Sequence, residues 1–193
     1  MGGTATREQI VEAADDLFYR QGFEPTSFAD IAAAVGISRG NFYYHFRTKD
    51  EILDAVIGRR LAATQAMLDR WEAEGEDPAA RIRGFVRLLL VNRAKIMRHG
   101  CPVGTLCNEL AKLDHAAARH ANRILALFRD WLAAQFAQLG HGKEEAGALA
   151  LHLLVRAQGV AAVANAFRDN AFRDKGFVAR EVEQMEAWLA GLR

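Results

Sequence analysis

Thr26-Ser27-Phe28-Ala29-Asp30-Ile31-Ala32-Ala33-Ala34-Val35-Gly36-Ile37-Ser38-Arg39-Gly40-Asn41-Phe42-Tyr43-Tyr44-His45-Phe46-Arg47-Thr48-Lys49 reads as two short helices joined by a tight corner. Ser27 is of the type that caps a helix with its side-chain oxygen, and Asp30 stands three residues on, where its carboxylate can answer the cap. Ile31 and Val35, one turn apart, supply a buried side. Gly36 ends the helix, because a glycine just past the last turn takes the left-handed conformation with no Cβ in the way. Ser38 opens the second helix, and Ile37 and Phe42 flank that cap at the spacing of a hydrophobic staple. An ordinary helical hairpin could carry the same caps, so the chemistry of the second helix has to decide.

That second helix carries Arg39, Asn41, Tyr43, Tyr44 and His45, with Arg47 and Lys49 directly after it. Donors and aromatics on one short helix offer partners to both phosphates and base edges. Here the sequence resembles the TetR family of repressors, matching its signature at Ile31, Ala32, Gly36, Ile37, Ser38, Gly40, Tyr43, His45, Phe46, Lys49 and Leu53. The likeness extends upstream, where Ile10, Ala13, Ala14, Leu17 and Phe18 follow a helical spacing ahead of Gly22-Phe23, with Thr6 and Gln9 as a capping pair at the start. The resemblance implies that Arg39, Asn41 and Tyr44 face base edges, with Gly40 permitting close approach. It implies that Thr26, Ser27, Ser38, Tyr43, His45 and Lys49 hold the phosphate backbone. Phe42 and Phe46 are expected in the core.

The first fifty residues are not basic: Arg7, Arg20, Arg39, Arg47 and Lys49 stand against Glu8, Glu12, Asp15, Asp16, Glu24, Asp30 and Asp50. Any attraction to DNA must be local, and the salt dependence of binding should reflect few phosphate contacts per subunit. The whole chain has 193 residues, 51% hydrophobic, three prolines and a net charge of +1. That is enough to bury one sizeable core beyond the small amino-terminal module. Met1-Gly2-Gly3-Thr4-Ala5-Thr6 lacks the charge and apolar stretch of a signal peptide, and the sequence contains no unbroken run of eighteen apolar residues, so a soluble cytoplasmic protein without a membrane partner is expected. No glycine-rich phosphate loop, metal-ligand spacing or nucleophile elbow appears, so neither an enzyme nor a metal or other cofactor is expected. His115 and His120 are five apart, off a common helix face.

From Thr48 onward the pattern is helical throughout, giving an all-α fold: a three-helix helix-turn-helix module over 1–50 and a larger helical effector-binding and dimerisation domain over 51–193. Thr48 and Glu51 form a capping box that opens a long helix to about Trp71, broken by Glu74-Gly75-Glu76-Asp77-Pro78. A helix from Ile82 to His99-Gly100 follows, then a short one after Pro102, a long one over 116–139, another over 144–168 and a last over 178–192. Residues 144–168 are apolar on nearly every side and rich in Gly and Ala, so they must be covered all round, within a monomeric core or by a second subunit. The family resemblance favours a homodimer pairing its last two helices, with Val182, Met185, Trp188 and Leu189 contributing. A two-fold dimer would read a palindromic operator in successive major grooves of double-stranded DNA.

The resemblance also implies a pocket for a small-molecule effector, whose identity the sequence does not specify. Candidate lining residues are Trp71, Phe85, Leu89, Asn92, Ile96, Leu106, Leu110, Phe128, Trp131, His152 and Arg156. An aromatic stripe at this spacing is equally what a plain core requires. Cys101, before Pro102 at a helix start and after Arg98-His99, joins this set; the Gly100-Cys101 segment resembles one found in a branch of the family that senses electrophiles or oxidants through that cysteine. A buried cysteine that merely fills space is the plain alternative. A Cys101–Cys107 disulfide is not expected, since Cys107 would lie inside the helix.

Overall fold

The computed structural model describes residues 2–74, 77–167 and 176–192, and these are all-α with no strand. The elements are α1 (Gly2–Gln21), α2 (Phe28–Val35), α3 (Arg39–His45), α4 (Lys49–Ala73), α5 (Pro78–Val91), α6 (Arg93–His99), α7 (Pro102–Lys112), α8 (Ala118–Gln138), α9 (Lys143–Ala166) and α10 (Phe177–Ala190). The helix breaker at Gly75-Glu76 and the expected end of the ninth helix at Arg168 lie outside the described residues.

Two expectations of local structure change. The first helix begins at Gly2, so Thr6 and Gln9 stand inside it rather than at its amino end. The helix expected to run unbroken to His99 is two, because Asn92 takes φ −96° and ψ 8° and its Nδ2 donates back to the Leu88 carbonyl at 3.0 Å. An asparagine side chain that competes for a backbone carbonyl favours such a break.

The chain packs into two compact units, and their boundaries follow contacts rather than sequence order. The first comprises Met1–Ala63 with Thr105–Ile124, and the second Thr64–Gly104 with Leu125–Arg193. The helix-turn-helix unit is thus larger than residues 1–50 and takes in most of α7 and the start of α8.

In the first unit Ile10, Phe18, Phe23, Ile31, Phe42 and Phe46 are buried together with Ile52, Leu53 and Val56 of α4. Each large side chain of this kind stabilises the fold by roughly 1.5–3 kcal/mol. Ser27 and Asp30 form a complete capping box at the start of α2. At its end Gly36 sits at φ 72°, with its N–H on the Ala33 carbonyl (3.2 Å) and the Ile37 N–H on the Ala32 carbonyl (3.1 Å). This paired closure of a helix end turns the chain within two residues. Thr48 caps α4 by accepting the Glu51 N–H at 3.1 Å, but the Glu51 carboxylate reaches past it to the Arg47 N–H at 2.8 Å.

The core of the second unit joins Ile82, Phe85, Val86 and Leu89 of α5 to Leu132 and Phe136 of α8, Leu153, Leu154 and Ala157 of α9, and Val178, Val182 and Met185 of α10. Val182 and Met185, expected on a dimer face, are therefore used inside the protomer, where the apolar stripe of α10 packs. On α9 the opposite side is uncovered: Leu151 is 51% and Val155 61% exposed, and Gly159, Ala162, Val163 and Ala166 continue the same stripe. By length and composition alone α9 could also cross a bilayer.

Candidate functional site

Helix α3 is anchored by one side and presents the other. Phe42 is buried against Phe28, ring centroids 5.1 Å apart, and the Ser38 hydroxyl accepts the Asn41 N–H at 3.3 Å. Arg39, Gly40, Asn41, Tyr43 and Tyr44 are exposed, Tyr44 to 82%. Tyr43 leans edge-on against Phe28 at 5.7 Å, and His45 is half-buried edge-on to Tyr44 at 5.1 Å. Among the described residues, the side-chain polar groups of Arg39 and Asn41 and the Tyr44 hydroxyl have no hydrogen-bond partner. A planar fork, an amide and a phenol, all outward on one short helix, match the chemistry of base edges.

Two of the expected phosphate ligands face the other way. The Lys49 ammonium donates to the carbonyls of Phe23 (3.0 Å), Glu24 (2.9 Å) and Thr26 (3.2 Å) and lies over the Phe23 ring at 4.3 Å. An ammonium has three donors, so Lys49 is saturated inside the protein. Thr26 is 1% exposed, its hydroxyl donating to the Gly22 carbonyl at 2.6 Å and accepting from Gln21 Nε2 at 3.2 Å. Both tie the α1–α2 turn together. Ser27 and Ser38 are exposed caps, and the Ser27 hydroxyl donates to Asp30 Oδ2 at 2.7 Å. Hydrogen bonds from the Ser27 side chain and backbone hold the Asp30 carboxyl below its ordinary value of 3.8.

The same turn is gripped by a residue that sequence reasoning missed. Glu109 of α7 accepts the Phe23 N–H at 2.9 Å and the Glu24 N–H at 2.9 Å, across 86 and 85 residues of sequence. Gly22 is at φ 101°, a conformation that favours glycine, and a Cβ there would stand 3.0 Å from Glu109 Oε1 and press on that carboxylate. His115 lies edge-on to Phe23 at 5.2 Å with Nε2 3.4 Å from Asp50, and His120 Nδ1 is 3.4 Å from Asp54. The only signal in the sequence was Gly22 itself, which marks a turn but not its partner.

Of the five cations in the first fifty residues, three are engaged. Arg7 stacks on Phe46 at 4.6 Å, Arg20 pairs with Asp16 at 2.9 Å, and Lys49 is saturated as described. Arg39 and Arg47 are exposed and have no side-chain partner among the described residues.

A cavity of about 160 Å³ lies within the second unit. Phe85, Leu89, Asn92, Ile96, Cys101 and Phe128, all expected to line a pocket, do line it, joined by residues including Leu154, Ala157 and Gln158 of α9. The other expected residues stand elsewhere. Trp71 packs on Trp131 at 5.5 Å, and Leu106 and Leu110 are buried in the first unit. His152 is exposed against Trp188 at 4.9 Å, and Arg156 is paired with Glu181 at 3.3 Å and Gln184 at 3.0 Å. Arg156 therefore needs no ligand carboxylate. Cys101 is half-buried with its Sγ accepting the Gly104 N–H at 3.5 Å, and the two cysteines are not joined in a disulfide.

Two domain families match this chain: bacterial regulatory proteins of the tetR family over residues 10–56, and the LmrA/YxaF-like transcriptional regulator C-terminal domain over 78–173. The chain belongs to the TetR family. It is 34% identical over 111 residues to an HTH-type transcriptional regulator of the lacX 3' region of Lactococcus lactis subsp. lactis, covering 56% of this chain and 57% of that one. It is 35% identical over 106 residues to the HTH-type transcriptional regulator TtgR of Pseudomonas putida, covering 50% of each. The chain thus spans about half the length of these relatives. In fold it is similar to a TetR-family regulator from Agrobacterium tumefaciens, with a TM-score of 0.82, 20% identity, and 97% of this chain and 98% of that one covered.

Proposed function

We propose that this protein is a cytoplasmic, homodimeric transcriptional repressor that binds a palindromic operator through α3 and is released by a small-molecule effector in the second unit. The observation that carries the reading is the outward set Arg39, Asn41 and Tyr44 on a helix held rigidly by Phe42 and Ser38. Arginine to guanine and asparagine to adenine are sound bidentate pairings, and Gly40 lets the backbone approach. Exposed Tyr43, Ser27, Ser38, half-buried His45 and Arg47 surround them as phosphate partners.

The uncovered stripe of α9 supports the dimer, because its glycine and alanines allow a second copy of the helix to pack closely. Two copies of α3 roughly 34–36 Å apart would meet successive major grooves. Release is a population shift: the effector favours an arrangement in which α4 carries the two recognition helices off that spacing, and it acts only through different affinity for the two arrangements. A second reading has support in the presence of Cys101 among the residues that line the cavity. An α,β-unsaturated carbonyl would add there, the S–C bond forming as the C=C π bond opens and the thiol proton passing to the α carbon.

Fluorescence anisotropy on the intergenic DNA beside the protein's own gene tests both. Saturable binding to a palindrome, abolished in the double variant Arg39→Ala/Asn41→Ala with an unchanged circular dichroism spectrum, is expected. Equal binding by that variant would sink the α3 assignment. Loss of binding on adding an enone that persists in Cys101→Ser would exclude the thiol reading.

A further inference from the structure

We propose that the cavity of the second unit is a site for an uncharged molecule of one six-membered ring bearing a hydrogen-bonding group, and that Gln158 is the residue that reads that group. The inference rests on the effector reading above and deepens it. None of the lining side chains carries a carboxylate, ammonium, guanidinium or imidazole. A charged ligand would leave water with no counter-charge to meet it, a loss far larger than apolar contact can restore. The volume of about 160 Å³ is close to the roughly 150 Å³ that accommodates a benzene ring in an apolar cavity.

The rings of Phe85 and Phe128, 5.5 Å apart and inclined by 55°, form an aromatic wall for such a ring. Polar readout then falls to two amides. One Nδ2–H of Asn92 is given to the Leu88 carbonyl, which fixes the orientation of that amide. Gln158 has no hydrogen-bond partner among the described residues. Its Oε1 lies so close to Gly104 that a Cβ there would overlap it, so the bare backbone of α7 is what gives this amide its place at the wall. An amide that can rotate offers a donor to a ligand carbonyl or an acceptor to a hydroxyl.

Isothermal titration calorimetry of the full-length protein with acetophenone, benzoate and 4-acetylbiphenyl tests charge and size together. One acetophenone per protomer is expected, with benzoate weaker on the order of a hundredfold and 4-acetylbiphenyl not bound. Gln158→Leu, close in volume, should weaken acetophenone about fivefold, the worth of one neutral hydrogen bond, and Gln158→Glu should weaken it further by facing the ketone oxygen with a carboxylate. Benzoate or 4-acetylbiphenyl binding as well as acetophenone, no acetophenone binding, or a folded Gln158→Leu with unchanged affinity would each overturn the proposal. Operator DNA separates this from the regulatory reading. Acetophenone that binds with these preferences yet never releases DNA counts against the release mechanism and leaves the ligand class standing.

Discussion

Helix α3 and the cavity of the second unit dispose of polarity in opposite ways. In the first unit, polar side chains that point inward are bonded to backbone, as with Lys49 on three carbonyls and Glu109 on two amides, whereas the outward Arg39, Asn41 and Tyr44 have no hydrogen-bond partner among the described residues. In the cavity, polarity is nearly removed and what remains is neutral. The first arrangement suits a highly charged, patterned partner and the second a small uncharged one. It also separates residues that hold the fold from residues that meet a ligand, although both kinds carry charge and lie a few residues apart in sequence.

The largest effect should come from the anchor that makes α3 one-sided. Phe42→Ala empties a buried site and should cost about 3–5 kcal/mol in urea unfolding, with DNA binding lost as a consequence. Next, Glu109→Ala leaves two backbone N–H groups without their acceptor, one of them part-buried, and should cost roughly 1–2 kcal/mol, although Glu109 is not among the residues proposed to meet DNA. A stability change under 0.5 kcal/mol in that variant would break the distinction between inward and outward polar groups.

Arg39→Ala should do the reverse, leaving stability within about 0.5 kcal/mol and relaxing preference at one base pair by about 1–3 kcal/mol on matched and mutated operators. Salt titration sharpens the same contrast. With Arg39 assigned to a base edge, Arg47 is the unengaged cation of the first fifty residues left for phosphate, so the slope of log K against log salt should be about −1 per subunit. Arg47→Ala should reduce it by about 0.9, whereas Lys49→Met should leave it unchanged while lowering stability.

The smallest effect is that of the α2 cap. The folded-state Asp30 carboxyl titrates below 3.8, so the Ser27–Asp30 interaction adds stability above the ordinary carboxylate range and loses it as pH falls through the lower folded value. Ser27→Ala should therefore be less stable than the parent near pH 7, and the gap should narrow in acid to what the Ser27 hydroxyl's bond to the Asp30 N–H leaves. A difference that grows as the pH drops would mean that the cap does not act through the Asp30 charge.

What could be read from the sequence was what is local. Ser27 with Asp30, Gly36, Ser38 and Phe42 interact within a few residues of one another, and spacing alone reveals them. Lys49 fails that test, because whether its ammonium meets phosphate or carbonyl depends on where residues 23–26 lie, 23–26 positions away. Glu109 fails it more completely, since 86 residues separate it from Phe23. Phe85, Leu89 and Ile96 were legible as apolar helix positions, a pattern that a plain core and a cavity wall share. On α9 the apolar residues run all round, so no stripe distinguished Gln158 from Arg156, although two residues place them about 200° apart on the helix.

The engagement of Arg7, Arg20 and Lys49 within the protein reaches beyond the operator. Random chromosomal sequence competes for a regulator almost wholly through phosphate charge. A module that leaves so little charge free is held only briefly by each wrong site. On the proposed function, few copies per cell would be sequestered along the genome, and occupancy of the correct sequence would follow the total amount of protein closely.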